Sequence, residues 1–249
     1  MDQAAVMAAS GLRARMQALD MLSNNLANAN TNGFKLDREF YSLFSGDSIG
    51  IDGEDPSQMP EVKSQWTDFS QGTLTETKNP LDMALTGQGF FTANGPSGPL
   101  YTRNGTFQIS STGVLSTSDG YPLKAIVNGQ EGIIQTQGQD PIEVQPDGTV
   151  QQSGNVLGQL QIANFANLQA LEKMGNSYFV NANASVKPVV SDAAVAQGQI
   201  EGSNVGPSEA AVGLVSVMRQ FEMLQKAIIT TSDMSKQALQ EVARVGGAG

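Results

Sequence analysis

The chain of 249 residues contains no cysteine and no histidine. The absence of cysteine excludes disulfide bonds and thiolate metal sites, and it is compatible with an oxidising compartment. The absence of histidine excludes every catalytic mechanism that depends on an imidazole base. We therefore expect no metal site, no cofactor and no catalytic residue.

Charged, aromatic and long apolar stretches are also scarce. Charged residues make up 15% of the chain and give a net charge of −10, so we expect no nucleic-acid partner, because an acidic protein repels phosphate. No run of about 18 apolar residues is present, so no membrane insertion is expected. The start of the chain, MDQAAVMAASGLRARMQALD, lacks the pattern of a secretory signal, which predicts that any export uses another route.

Two long helices are predicted, one towards each end of the chain. The first covers residues 3–27, where Ala5, Leu12, Leu19 and Leu26 recur every seven residues. The second covers residues 207 to about 243, and its heptad positions alternate between two rows. These rows are Leu214, Phe221, Ile228, Ser235 and Val242, and Val217, Leu224, Thr231 and Ala238.

The middle of the chain has a different pattern. Residues 36–65 are polar and predicted to be irregular, with an acidic loop that holds Asp52, Glu54 and Asp55. Residues 66–200 alternate short apolar and polar runs between turn signals such as Asn128-Gly129, which predicts an antiparallel β domain. Within it, Asn164 to Gly175 is interpreted as a short helix.

The fold class is therefore predicted to be α+β, with the terminal helices paired as a coiled-coil domain and a central all-β domain. The domain boundaries are placed at 1–35, 36–65, 66–200 and 201–249. A second helix about 55 Å long overhangs a compact β domain, and the shorter first helix covers only part of its apolar stripe. An intramolecular stalk and a contact with other subunits both explain the stripes, and the two interpretations combine.

Five asparagines crowd the end of the first helix, in LSNNLANANTNGFK. Asn24 and Asn25 lie at the margin of the apolar stripe, where a side-chain amide left unpaired in a wrong register costs about 1–3 kcal/mol. We therefore interpret this pair as setting register or partner choice. Asn28, Asn30 and Asn32 fit helix termination and turn formation.

Three motifs carry a family resemblance. LSNNLANANTNGFK resembles the N-terminal signature of the flagellar axial proteins, the rod and hook family of the bacterial flagellum. The stretches from Asn79 to Leu123 and from Glu201 to Met234 are similar to its central and C-terminal signatures. The matching residues include Asn24, Asn25, Leu26, Ala27, Asn28, Thr31, Gly33, Phe34, Lys35, Asp82, Gly87, Gly89, Phe90, Phe91, Tyr101, Thr102, Arg103, Gly105, Phe107, Ser203, Asn204, Val205, Glu209, Arg219, Phe221 and Lys226.

The resemblance implies a structural subunit of the basal-body rod, the drive shaft that crosses the periplasm and carries torque from motor to hook. The implied partners are copies of the chain, other rod subunits and the flagellar type III export apparatus. Length and the MDQA start are most similar to the proximal-rod member, and the distal-rod member is the alternative. The expected assembly interface consists of Leu12, Leu19, Asn24, Asn25, Leu26, Asn28, Gly33, Phe34, Leu214, Phe221, Leu224 and Ile228.

An enzyme is the alternative from a different class of function. A secreted β-rich carbohydrate-active enzyme would use paired carboxylates such as Asp119 and Glu143. One Trp and four Tyr are few for a sugar-binding cleft, and the spacing of the two acids does not support the pair. Arg103 is interpreted as a surface or interdomain ion-pair residue, and Trp66 and Phe69 as anchors of the first β-domain strand.

Overall fold

The computed structural model describes residues 3–43, 60–138, 140–175 and 177–246. The chain divides into two compact units. The helical unit consists of Met1–Ala27, Asp37–Trp66 and Gly206–Gly249, and the β unit consists of Asn28–Leu36 and Thr67–Val205. The predicted α+β class is confirmed, since two helices accompany a body made of strands.

The helical unit contains helix α1 (Gln3–Ala27) and helix α2 (Pro207–Gly246). Both bounds agree with the heptad pattern, and Pro207 opens α2 because its fixed backbone angle and missing N–H suit a first helical position. Strands β1 (Asp37–Leu43) and β2 (Pro60–Thr67) form a two-stranded sheet. The segment of residues 36–65, predicted to be an irregular linker or extended, therefore begins and ends in strands, and the acidic loop lies outside the described residues.

The two helices lie against one another and run antiparallel. A Cβ placed on Gly11 of α1 would lie 4.0 Å from Leu224 Cδ1 of α2. A Cβ placed on Gly213 of α2 would lie 3.6 Å from Leu22 Cδ2 of α1. Small residues at these two positions let the helix backbones approach closely, and the opposite order of the partners along the two helices gives their direction.

The β unit holds seventeen strands among its described residues. In chain order they are β3 (Leu74–Glu76), β4 (Met83–Thr86), β5 (Phe90–Gly95), β6 (Gly98–Thr102), β7 (Phe107–Ile109), β8 (Leu115–Thr117), β9 (Lys124–Val127), β10 (Gln130–Ile133), β11 (Ile142–Val144), β12 (Thr149–Gln152), β13 (Asn155–Leu160), β14 (Ile162–Asn164), β15 (Leu171–Gly175), β16 (Tyr178–Asn181), β17 (Val189–Val190), β18 (Ala194–Gln197) and β19 (Gln199–Glu201).

These strands form two larger sheets and three pairs. The five-stranded sheet has the order β10-β9-β13-β12-β11, and the six-stranded sheet has the order β15-β16-β6-β5-β14-β17. The pairs are β18-β4, β19-β3 and β7-β8, and the described ladders of this unit are antiparallel, as predicted. Asn128 and Gly129, with φ of 53° and 79°, form the predicted turn between β9 and β10.

The core of the β unit consists of two clusters of buried side chains. The larger includes Met83, Leu115, Leu123 and Ile134, each with no exposed surface. In the smaller, Phe69 packs edge-on against Phe90 with ring centroids 5.5 Å apart, which confirms its predicted anchoring role. Trp66 belongs instead to the helical unit, where the Arg38 guanidinium lies 6.0 Å from its ring centroid.

The predicted helix between Asn164 and Gly175 is wrong. Only Leu168–Ala170 forms a single 3-10 turn, and β15 follows at once. The β15 strand pairs with β16 through partners such as Leu171 and Asn181. Backbone pairing with a neighbouring strand therefore overrides the helical propensity of NLQALEKM, a local preference that is weak compared with tertiary contacts.

Candidate assembly interface

Helix α1 buries a face other than the predicted stripe. Ala14 and Ala18 are buried, with exposed fractions of 6% and 1%, on the face that also carries Gly11. The predicted stripe residues Leu12, Leu19 and Leu26 are only half-buried. At about 100° per residue the two faces are separated by roughly a third of a turn. Helix α1 therefore has a second apolar face that the chain itself covers only in part.

Helix α2 places its predicted stripe on the face directed at α1. Leu214, Phe221, Leu224 and Ile228 are all half-buried, and Leu224 is the residue nearest to Gly11 of α1. These residues of the two predicted rows thus lie on one side of the helix. Their predicted contact with other subunits stays a prediction.

The other sides of α2 are also apolar. A shallow surface groove runs along the helix past Val212, Val215, Arg219 and Met223. Val212 is 71% exposed and Met223 is 64% exposed. Further exposed apolar side chains of this helix are Met218, Ile229 and Met234.

Asn25 makes a contact that the sequence did not indicate. Its amide is fully buried; Nδ2 donates to the Asp37 carbonyl at 2.8 Å, and the Asp37 N–H donates to Oδ1 at 3.0 Å. The side chain thus pairs with the backbone at the start of β1, as a neighbouring strand would. Asn24 is exposed, and Asn28 accepts from the Thr31 N–H at 3.1 Å in the turn after α1.

Gly33 and Phe34 lie in the interior of the β unit. Gly33 has a φ of 69°, and a Cβ there would lie 2.2 Å from the Asn104 nitrogen, so only glycine fits without a backbone shift. The Phe34 ring is buried, and the Lys173 ammonium lies 4.2 Å from the centroid of the ring. Both residues have an intramolecular role here, and their predicted role in assembly stays a prediction.

Three buried charges meet beside this turn. Glu201 accepts from Lys35 Nζ at 2.5 Å and from Arg103 Nη1 at 3.0 Å. All three side chains have almost no exposed surface. Burial lowers the pKa of Lys35, because desolvation outweighs the attraction of Glu201. Burial lowers the pKa of Arg103 as well. Arg103 is therefore an ion-pair residue, as interpreted, but a buried one.

The sequence did not single out Glu201 as the partner of these cations. The sequence predicts an ion pair for Arg103 without naming its partner, and Glu201 lies 98 residues beyond Arg103. The available signal was three charges within motifs in a chain with only 15% charged residues. Burial of charge requires such partners, which is why the three occur together.

The two carboxylates considered for catalysis occupy ordinary positions in the β unit. Asp119 accepts a hydrogen bond from the Tyr178 hydroxyl at 2.8 Å. Glu143 lies on β11 opposite Gln151 of β12, with an exposed side chain. In the described part of the chain no group of three or more acidic side chains is arranged to hold a metal ion. Neither described helix is long and apolar enough to cross a membrane.

Three family models match successive parts of the chain. Residues 7–35 match "Flagella basal body rod protein". Residues 84–152 match "Flagellar hook protein FlgE/F/G D1 domain", and residues 196–241 match "Flagellar basal body rod FlgEFG protein C-terminal". These segments contain most of α1 and most of α2, together with four strands of the five-stranded sheet and two strands of the six-stranded sheet.

Relatives align over nearly the whole chain. Flagellar basal-body rod protein FlgF of Caulobacter vibrioides is 30% identical, over 98% of this chain and 100% of its own length. Flagellar basal-body rod protein FlgG of Agrobacterium fabrum is 33% identical, over 94% of this chain and 97% of its own length. With three family models in order and relatives of both names aligned end to end, the chain belongs to the family of flagellar basal-body rod proteins and is a structural subunit of the rod.

Proposed function

We propose that this chain is a proximal-rod subunit whose α1 and α2 form a coiled-coil domain and pack against other subunits in a tube. Its partners are copies of itself and other rod subunits, and it reaches the rod through the flagellar type III export apparatus. The β unit makes lateral contacts that stiffen the shaft, which carries torque from motor to hook. The observation that carries the proposal is the distribution of apolar side chains on α2.

Helix α2 is apolar on more sides than one partner helix can cover. Leu224 and its row lie towards α1, whereas Val212, Met223 and Met234 project about a third of a turn away at about 100° per residue. Met218 and Ile229 occupy a third sector. A helix with exposed apolar side chains on several sides is more stable when neighbouring protein covers them. Packing among neighbouring rod subunits supplies such surroundings.

Helix length supports the same conclusion. With Gly11 opposite Leu224 and Leu22 close to Gly213, the start of α1 falls near residue 232 of α2. The helix continues to Gly246, so its last three to four turns, about 20 Å, extend past the start of α1. A neighbouring subunit is the natural cover for this end.

The predicted interface residues take two roles in this proposal. Leu214, Phe221, Leu224 and Ile228 form the seam with α1. Leu12, Leu19 and Leu26 form the half-buried second face of α1 and contact neighbouring subunits, as do the exposed residues of the α2 groove. Asn24 lies in the last turn of α1 and Asn28 just beyond its end, while Asn25, Gly33 and Phe34 hold the end of α1 and the following turn in place.

The assembly role is tested at Met223 with Met223→Asp. We expect normal circular dichroism of the purified chain, because the side chain is exposed, and loss of rods from basal bodies, because the carboxylate would be buried by a neighbour. Gln225→Asp, at an exposed position of the same helix, is the matched control and keeps its rods. Rods of normal number and length in the Met223→Asp strain would refute the proposed surface.

The position in the rod is tested with a deletion strain. The MDQA start and the short segment between Gly33 and Gly72 favour the proximal member. If the chain is the proximal member, electron microscopy of basal bodies from the deletion strain shows loss of the whole rod. A truncated rod would instead assign the chain to the distal part.

The proposal gives no catalytic role to any residue. The rival enzyme is tested by incubating peptidoglycan with the native chain and with a variant that carries Asp119→Asn and Glu143→Gln. We expect no release of soluble sugar from either. Release by the native chain that the double variant abolishes would establish the enzyme.

A further inference from the structure

The chain passes between the helical unit and the β unit at four places. These are the bonds after Ala27, Leu36, Trp66 and Val205, since the units alternate there along the chain. Any force that the backbone carries from one unit into the other enters the β unit next to these bonds. Three of them reach the β unit in segments that touch one another, namely those around Leu36, Asp68 and Asn204.

We infer that Asn204 and the buried charges beside it form a node that holds these three segments together and transmits force between them. The node is defined as Leu36, Asp68 and Asn204, which are linked by an amide, and Lys35, Arg103 and Glu201, which are linked by charge. Its role rests on the proposed function, in which the rod carries torque. Asn204 is its positioning residue, since it contacts both of the other segments.

The Asn204 side chain uses both ends of its amide. Its Oδ1 accepts from the Leu36 N–H at 2.8 Å, and its Nδ2 donates to the Asp68 carbonyl at 2.8 Å. The Asp68 N–H in turn donates to the Leu36 carbonyl at 2.8 Å. Each segment is thus bonded to the other two, and no single bond has to hold the arrangement.

The charges tie the same segments a second time. Glu201 accepts from Lys35, which precedes Leu36, and from the Gly72 N–H at 3.0 Å. Lys35 Nζ also donates to the Ser70 carbonyl at 2.7 Å, close to Asp68. Arg103 anchors Glu201 to the body of the β unit, because its Nη2 donates to the Gly87 carbonyl at 2.7 Å. These bonds are buried or partly buried and involve charged groups, which makes them stronger than neutral ones.

Close backbone contact completes the node. A Cβ on Gly72 would lie 2.1 Å from the Gly202 carbonyl oxygen, and the Gly202 N–H donates to the Thr73 carbonyl at 2.9 Å. The Gly33 N–H donates to the Glu201 carbonyl at 2.8 Å. The segments before α2 and after α1 therefore lie against each other within the β unit with little room for sliding.

The test compares Asn204→Ala with a matched asparagine. Asn181 also bonds backbone at both ends of its amide, but only within its own turn, to Val186 and Asn183. In the purified full chain we expect Asn204→Ala to speed hydrogen exchange of the Leu36 and Asp68 amides about tenfold, the factor for losing a bond of ordinary strength. The core amide of Leu123 stays unchanged, and Asn181→Ala affects only its own turn.

The mechanical role is tested by measuring swimming speed in media of increasing viscosity. We expect the Asn204→Ala strain to assemble rods but to lose swimming speed more steeply than the native strain as medium viscosity rises. The Asn181→Ala strain follows the native curve. Unchanged exchange at Leu36 and Asp68, or a native viscosity curve despite faster exchange, would overturn the node. Absence of rods with Asn204→Ala alone would assign Asn204 to assembly and overturn the mechanical role as well.

A milder variant covers the case in which Asn204→Ala does not fold. Asn204→Asp keeps the oxygen that accepts from the Leu36 N–H but loses the donor to the Asp68 carbonyl. The Asp68 N–H donates to the Leu36 carbonyl, so its exchange reports whether the Asp68 segment loosens once its carbonyl loses the Asn204 donor. We expect faster exchange at Asp68 with a near-native rate at Leu36, and a native rate at Asp68 would contradict the linkage. Because exchange is measured on purified protein, it decides the node independently of the rod function, which the deletion strain tests.

Discussion

The two units of the molecule bury their apolar side chains to different extents. In the β unit Leu115, Leu123 and Ile134 have no exposed surface, so that core is complete within one chain. In the helical unit the seam residue Leu224 is half-buried and Met223 on the other side of α2 is 64% exposed. The difference indicates that the β unit draws its stability from its own core, whereas in the proposed function the helical unit draws part of its stability from neighbours.

The largest expected effect comes from a charge in the helix seam. Phe221→Asp places a carboxylate among apolar side chains, and we expect it to abolish swimming because burying an unpaired charge opposes packing of the helices. The β unit should keep its native thermal transition, since its core is separate. Swimming assays and calorimetry check both parts, and normal motility of this mutant would contradict the seam assignment.

The next largest effect concerns the buried charges of the β unit. Glu201→Gln leaves Lys35 and Arg103 buried without a counter-charge, and we expect a loss of about 3–5 kcal/mol in the free energy of unfolding. Glu131→Gln is the matched control, because this exposed carboxylate pairs with Lys124 at 3.5 Å. It should cost about 0.5 kcal/mol or less. Denaturant titration measures both, and equal effects would show that burial of the cluster does not matter.

A pair of leucine truncations sharpens the comparison between the units. Leu115→Ala removes a fully buried side chain, and we expect it to destabilise the purified chain by about 2–5 kcal/mol. Leu224→Ala removes a half-buried one, with an expected cost of about 1 kcal/mol in the chain alone but fewer rods in cells. Denaturation curves and rod counts supply the data, and the comparison fails if Leu224→Ala costs the isolated chain as much as Leu115→Ala.

The smallest expected effect is a pH dependence. Burial lowers the pKa of Lys35 from its ordinary 10.5, so between the lowered value and 10.5 the unfolded chain holds a proton that the folded chain has released. Stability therefore rises with pH across that window. The rise is measured as the difference in unfolding free energy between the native chain and Lys35→Met at increasing pH. A difference that stays constant up to pH 10.5 would show that Lys35 keeps its ordinary pKa.

Local patterns predicted the regular parts of this fold. The heptads gave α1 and α2 within a few residues of Gln3–Ala27 and Pro207–Gly246, because the period of an apolar stripe depends on helix geometry alone. Turn signals such as Asn128-Gly129 located hairpins, because few residues adopt positive φ. The strands at the ends of residues 36–65 were missed, since DREFYSL and PEVKSQWT show little alternation between apolar and polar residues.

Local sequence patterns could not predict the contacts between distant segments. Nothing local to Asn25 indicates that its amide pairs with Asp37, and nothing local to Glu201 indicates that it joins Lys35 and Arg103. Likewise, the stripe of Leu12 and Leu19 is as regular as a buried one, yet the chain buries Ala14 and Ala18 more completely.

The sequence by itself determined that two long amphipathic helices flank a β-rich body, because helical period, strand alternation and turn chemistry act over a few residues. Its three motifs also determined the family. Only the tertiary structure decided which face of α1 is buried against the chain and which is left for neighbours. It alone decided that Asn204 and the three buried charges meet, since such choices depend on contacts between residues about a hundred or more positions apart.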